Sequence, residues 1–170
     1  MSMNSNRTNS RHDSPHEATE SMASTSGSPL LNQSAAVDRK VITSPSFPRV
    51  LGPYSHAVVA GGFVFVAGQA PINPATQEFE LGGIASEARL ELTNLGTILE
   101  AAGSNLASVV KVSIHLANLE DFDEMNQVYQ EFFSAEPPVR TTTQAILRSG
   151  RKIEIDCIAR LKETPLSPHL

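Results

Sequence analysis

A chain of 170 residues, 40% hydrophobic and with a formal charge of −5, has material for one domain with a real core and a tail to spare. With 13 Lys and Arg against 18 Asp and Glu it lacks the basic excess of a nucleic-acid surface. No segment reaches the roughly 18 apolar residues that mark a membrane helix, and the single cysteine, Cys157, excludes an internal disulfide framework and fits a reducing compartment.

Residues 1–40 hold nine serines and no aromatic residue, so they read as a disordered tail with too little apolar surface to offset ordering entropy. Ser14-Pro15, Ser28-Pro29 and Ser44-Pro45 are turn-prone dipeptides before they are phosphorylation sites. The sequons at Asn6 and Asn32 carry no weight without a secretory signal. Arg7 and Arg11 among the serines resemble a mitochondrial transit peptide, but Asp13, Glu17 and Glu20 oppose that reading, and the expected location is cytoplasmic.

The folded domain is expected over 41–163, with 164–170 a short flexible C-terminus. "HAVVAGGFVFVAGQ" gives two β-type runs, His56–Ala60 and Phe63–Ala67, joined at Gly61-Gly62 as a hairpin. The second run is apolar throughout, which predicts burial on both faces. "NPATQE" after Ile72 is turn chemistry.

Ile84, Ala88, Leu92, Leu95, Leu99 and Ala102 recur at steps of four and three, predicting a helix over 84–102 with Gly103 at its left-handed end. "VVKVSIHL", residues 109–116, alternates as a strand whose dry face holds Val110, Val112, Ile114 and Leu116. A second helix is expected to start at Asp121, capped by its side chain with Glu124 three residues on. Phe122, Met125, Tyr129 and Phe132 share its apolar face, and Pro137 and Pro138 end it. The last elements read as a hairpin, 140–147 and 152–161, turning near Ser149-Gly150.

The order β-β-α-β-α-β-β predicts an α+β two-layer sandwich with both helices on one sheet face. The other face is too apolar for water, and a second copy of the chain is the expected cover.

Charge then stands where strands are usually apolar. Arg140 follows two prolines, and its planar fork suits a carboxylate; the alternative is a structural arginine paired with Asp156. Glu154 alternates with Ile153 and Ile155, so it points away from the helices, either as a carboxylate that orients water or as part of a solvated strand face. Tyr54 after a Gly-Pro turn can close over a pocket or pack as a half-buried aromatic. Gly68 permits close ligand approach or an ordinary bulge, and Asn126 can donate an amide from the second helix. His56 and His115 lack ligand-type spacing, so no metal site is expected. Cys157 alternates into the apolar face as a small core residue.

Together "GPYSHAV", "FVAGQAPINPATQE", "LEAAGSNLASVVKVSIHLANLEDFDEMNQVYQEFF", "PPVRTT" and "KIEIDCIA" resemble the RidA (YjgF) family of reactive-intermediate deaminases, in order from Leu51 to Leu161. The resemblance implies a chorismate-mutase-like fold assembled as a homotrimer, with sites between subunits. It implies hydrolysis of 2-imino acids and their enamines, such as 2-aminoacrylate, 2-iminopropanoate and 2-iminobutanoate, to 2-oxo acids and ammonia, with no metal or organic cofactor. The family's carboxylate-binding arginine falls on Arg140, its water-orienting glutamate on Glu154, and its tyrosine, glycine and asparagine on Tyr54, Gly68 and Asn126; Thr142 lies in the same arginine segment.

The chain departs from the family at Ala67, at Thr142, at His56 near the expected cleft mouth, and at "LRSGRK", where a proline-lysine turn is frequent. These departures bear on substrate range. Two other readings stay open on the same fold: a non-catalytic module binding small carboxylates, or chaperone-like, and an endoribonuclease that inhibits translation, which the acidic balance opposes.

Overall fold

In the computed structural model, which describes residues 38–162, Gly61 and Gly62 take φ of +57° and +82°. That left-handed pair matches the twist of the strands it joins, β2 (Ala57–Ala60) and β3 (Phe63–Gln69), as an antiparallel hairpin. A short strand before them, β1 (Lys40–Ile42), pairs with β2. It was not expected from the sequence, so the order is β-β-β-α-β-α-β-β. The expectations for the Ser-rich tail and the C-terminus lie outside the described residues except at 38–40, where Lys40, assigned to the disordered tail, opens β1 instead. Ser44-Pro45 is a turn, closed by the Phe47 N–H donating to the Ser44 carbonyl at 3.2 Å.

Helix α1 (Ile84–Ala101) buries Ile84, Ala88, Leu92, Leu95 and Leu99, five of the six residues of the stripe read from the sequence, while Ala102 is its half-buried C-cap. Gly103 at φ +85° ends it, with its N–H donating to Glu100 O and that of Ser104 to Leu99 O. Strand β4 (Val109–Leu116) buries Val112, Ile114 and Leu116, but Val109 replaces Val110 on the dry face. A register shift between Val109 and Lys111 turns Val110 out to solvent. Helix α2 (Phe122–Phe132) buries Met125, Val128 and Tyr129. Asp121 does not cap it; the carboxylate accepts instead from Lys152 Nζ at 3.1 Å. The cap lies one turn earlier, where Asn118 Oδ1 accepts from the Glu120 N–H.

The expected C-terminal hairpin does not form. Strand β5 (Val139–Gln144) runs parallel to β4 at the sheet edge, and β6 (Ile153–Arg160) inserts antiparallel between β3 and β4. The sheet order is β1-β2-β3-β6-β4-β5. The chemistry of the two strands explains the placement. Strand β6 alternates Ile153, Ile155, Cys157 and Ala159 into the core, which a central strand needs; β5 is a run of threonines that tolerates an edge. The segment between them crosses the end of β4, with the Ala145 N–H donating to Leu116 O and the Ala117 N–H to Lys152 O.

One buried cluster joins one sheet face to both helices, as expected for a two-layer α+β sandwich. The other face is open. Phe63 and Phe65 on β3 are 37% and 44% exposed there, so β3 is not buried on both faces within the chain. No helix among the described residues is long and apolar enough to cross a membrane.

Candidate active site

The open face and the helix face each carry half of the predicted residues. Strand β6 presents Glu154 on the open side, in register with His115 on β4. Strand β3 meets it through an irregularity between Val66 and Gln69, which opens space at Gly68. A Cβ built on Gly68 would sit 2.5 Å from Glu154 Oε1, so glycine is required for the carboxylate to lie where it does. Tyr54 completes the wall, its hydroxyl accepting from the Leu51 N–H at 3.0 Å. Tyr54, Ala67, Gly68, Arg148, Arg151 and Glu154 line a cavity of about 430 Å³.

A second cavity, about 820 Å³, holds two of the remaining three candidates. Asn126 and Tyr129 from α2, Pro138 and Arg140 line it. Arg140 is in register with Val112, on the helix side. Its guanidinium lies 4.6 Å from the Tyr129 ring centroid and 5.6 Å from that of Phe122, and no carboxylate among the described residues pairs with it. Asp156, the alternative partner, is on the opposite face, 3.9 Å from His115 Nε2. Burial pushes the Tyr129 phenol up to about 12, with the Arg140 charge pulling the other way, so the ring stays neutral under the cation.

Thr142 shares the face of Arg140 but lines neither of these two cavities; its Oγ1 is enclosed and unpartnered. His56 is not at a cleft mouth. It donates from Nε2 to Pro48 O at 2.7 Å and packs edge-on against Phe47, bracing the segment before β2. No group of three or more His, Cys, Asp or Glu among the described residues is placed to hold a metal.

Three charged residues near the Glu154 cavity were not foreseen, of which Arg151 alone lines it. Arg151 donates from Nη1 to Arg148 O at 3.0 Å and from Nη2 to Glu154 Oε2. Glu87, buried on α1, accepts from the Gly82 and Lys152 N–H groups at 3.0 and 2.7 Å, tying the helix to the start of β6. One turn on, Glu91 is fully buried and neither oxygen hydrogen-bonds to a described residue. Burial, reinforced by Glu154 and Glu87, holds its carboxyl well above the usual carboxylate range. Arg151 and the adjacent Ile155 backbone offset only part of this. A signal existed: Glu87, Glu91, Asn94 and Ile98 repeat at steps of four, three and four beside the apolar stripe, so the buried face of α1 is wider than its apolar residues.

The model of the family described as Endoribonuclease L-PSP matches residues 45–161. A crystal structure of RidA from an Antarctic Psychrobacter aligns with a TM-score of 0.69 at 33% identity, over 72% of this chain and 99% of that one. The chain belongs to the RidA (YjgF) family. Its YjgF-like α+β fold, with a mixed sheet and two helices, is the fold of these neighbours. A RidA-family relative from Bos taurus named 2-iminobutanoate/2-iminopropanoate deaminase is 40% identical over 122 residues, 71% of this chain and 89% of the relative. E. coli TdcF, solved with bound serine, aligns with a TM-score of 0.68 at 35% identity over 72% of this chain and 99% of its own.

Proposed function

We propose that the chain hydrolyses reactive 2-imino acids and their enamine tautomers to 2-oxo acids and ammonia, in a cleft formed between copies of the chain. The observation that carries this is the separation of Arg140 and Glu154 onto opposite sheet faces, each at a cavity that lacks the other. A half-site with an unpaired guanidinium and a half-site with a carboxylate complement one another if the Arg140 side of one copy meets the Glu154 side of the next. Phe63 and Phe65 on the open face supply apolar surface for such an assembly, which we take to be a homotrimer. The deaminase name of the Bos taurus relative and the amino acid bound to TdcF support the same substrate class.

In this reading Arg140 grips the substrate carboxylate with two parallel hydrogen bonds, its plane fixed by the Tyr129 and Phe122 rings. Asn126 offers its amide beside it, and the Gly68 backbone allows close approach beside Glu154. Glu154 takes a proton from water as the oxygen bonds to the imine carbon and the C=N π pair moves to nitrogen, and the acid so formed hands that proton to the nitrogen, giving the neutral carbinolamine. Glu154 then takes the carbinolamine hydroxyl proton and delivers it to the amine as the C–N bond breaks and the C=O bond forms, so that ammonia leaves and Glu154 is again a carboxylate. Imines are already electrophilic, so positioning and one proton relay suffice without metal or cofactor.

A second reading is a module that binds small carboxylates at Arg140 without turnover. One experiment separates them: 2-oxo acid release is followed while a serine or threonine dehydratase generates imine in alkaline buffer. Wild type accelerates release and Arg140→Ala does not. Binding of 2-oxobutanoate without acceleration by folded, oligomeric wild type would move the assignment to the binding module. The family description as an endoribonuclease predicts instead salt-sensitive RNA cleavage, which the charge of −5 opposes.

A further inference from the structure

The carboxylate of Glu154 is held from behind. Arg151 is buried at the entry to β6, in the turn that contains Ser149 at φ +62° and Gly150 at φ +73°. That turn folds back so that the Arg148 carbonyl accepts from Arg151 Nη1, which fixes the plane of the guanidinium. The opposite nitrogen, Nη2, donates to Glu154 Oε2, and Oε1 is the oxygen turned toward Gly68. The two oxygens of Glu154 therefore have different duties: one is tied to the protein, the other borders the cavity. A lysine ammonium lacks this rigid planar fork and would hold the turn and the carboxylate with less fixed geometry.

We infer that Arg151 is a positioning residue for Glu154, gripping Oε2 so that Oε1 alone is presented to substrate. This rests on the deaminase reading for its kinetic consequence and on the geometry alone for its structural one.

The surroundings of Arg151 support this assignment. Two other carboxyls lie on α1 behind it. Glu87 is satisfied by the Gly82 and Lys152 N–H groups and does not compete for the guanidinium. Glu91 makes no side-chain hydrogen bond, and Arg151 Nε is itself buried and unpartnered. Burial holds the Glu91 carboxyl well above the usual carboxylate range, which weakens it as a competitor for the guanidinium. The ion pair that Arg151 makes is with Glu154.

The test compares crystal structures and steady-state kinetics of wild type, Arg151→Met, Arg151→Lys and Glu91→Gln. In Arg151→Met we expect Glu154 to lose its single orientation and kcat to fall on the order of 10²-fold. KM should stay within about twofold, because Arg140 is untouched. Arg151→Lys recovers part of kcat by keeping one charged donor, an outcome a merely space-filling role would not give. Glu91→Gln leaves kcat and KM within about twofold, since an amide replaces a neutral acid. If Arg151→Met does not fold, Arg151→Gln, which keeps one uncharged donor, takes its place. An unmoved Glu154 with unchanged kcat overturns the inference, and so does a loss in Glu91→Gln equal to that in Arg151→Met. Should wild type hydrolyse no imine, the deaminase reading fails, and the orientation of Glu154 in the two crystal structures still decides the role of Arg151.

Discussion

Arg140 stands in register with Val112 and Glu154 with His115, so the two side chains leave the same sheet from opposite faces. Within one chain they cannot hold the same small substrate. If a cleft joins the Arg140 face of one copy to the Glu154 face of the next, two inactive variants can repair each other. Arg140→Ala and Glu154→Gln, each inactive alone, should regain roughly a quarter of wild-type activity when co-expressed in equal amounts and assembled at random. The unfractionated pool would be assayed for imine hydrolysis, with mixed species verified by mass; complete inactivity despite their presence rules out a shared cleft.

Gly68→Ala separates stability from function. The added Cβ meets Glu154 Oε1 at 2.5 Å and Cδ at 2.9 Å, atoms at the far end of a flexible side chain. The carboxylate can move aside only by loosening its ion pair with Arg151, so the fold should lose on the order of 1–3 kcal/mol, whereas kcat falls by on the order of a hundredfold as Oε1 is displaced. Urea unfolding and kcat/KM on the same preparation check this, and equal losses in both would argue that the glycine serves the backbone alone.

The sequence made some of this legible and hid the rest for physical reasons. The stripe from Ile84 to Leu99 and the left-handed Gly103 belong to local rules of helix geometry, and both were read correctly. Period-two alternation identified the 109–116 and 152–161 strands but carries no information about which strand lies beside which. The final pair was therefore read as a hairpin when β6 had to be central and β5 parallel at the edge. The Val109–Lys111 shift is likewise invisible to alternation, which assumes an unbroken pleat. Arg140, Glu154, Tyr54, Gly68 and Asn126 were all singled out, but their division into two cavities depends on register across three strands. Glu87 and Glu91 were missed because acids beside an apolar stripe ordinarily face water.

Cys157 lies on the core face of β6, and burial, with the nearby charge of Asp156, pushes its thiol up to about 12. The thiolate is the reactive form, so native protein should resist an aromatic disulfide reagent at neutral pH and react stoichiometrically once unfolded in guanidinium. Rapid labelling of the native protein, with circular dichroism unchanged, would show that β6 opens locally.

Glu91 links the buried cluster to pH. Its carboxyl in the folded chain titrates well above the value of about 4.3 expected when unfolded, chiefly because it is buried and secondarily because Glu154 and Glu87 repel its charge. Between those two values the folded state holds a proton that the unfolded state has released. Stability from this group is therefore complete below about 4.3 and declines as pH rises toward the folded value, by at most about 1.4 kcal/mol per pH unit. Glu91→Gln has no proton to lose, so it should gain on wild type as pH increases and match it most closely in acid. Urea midpoints of both proteins at one fixed concentration, from about pH 5 to pH 8, measure the difference while the other titrating groups cancel. Parallel curves would mean that Glu91 finds a partner for its charge in the folded protein.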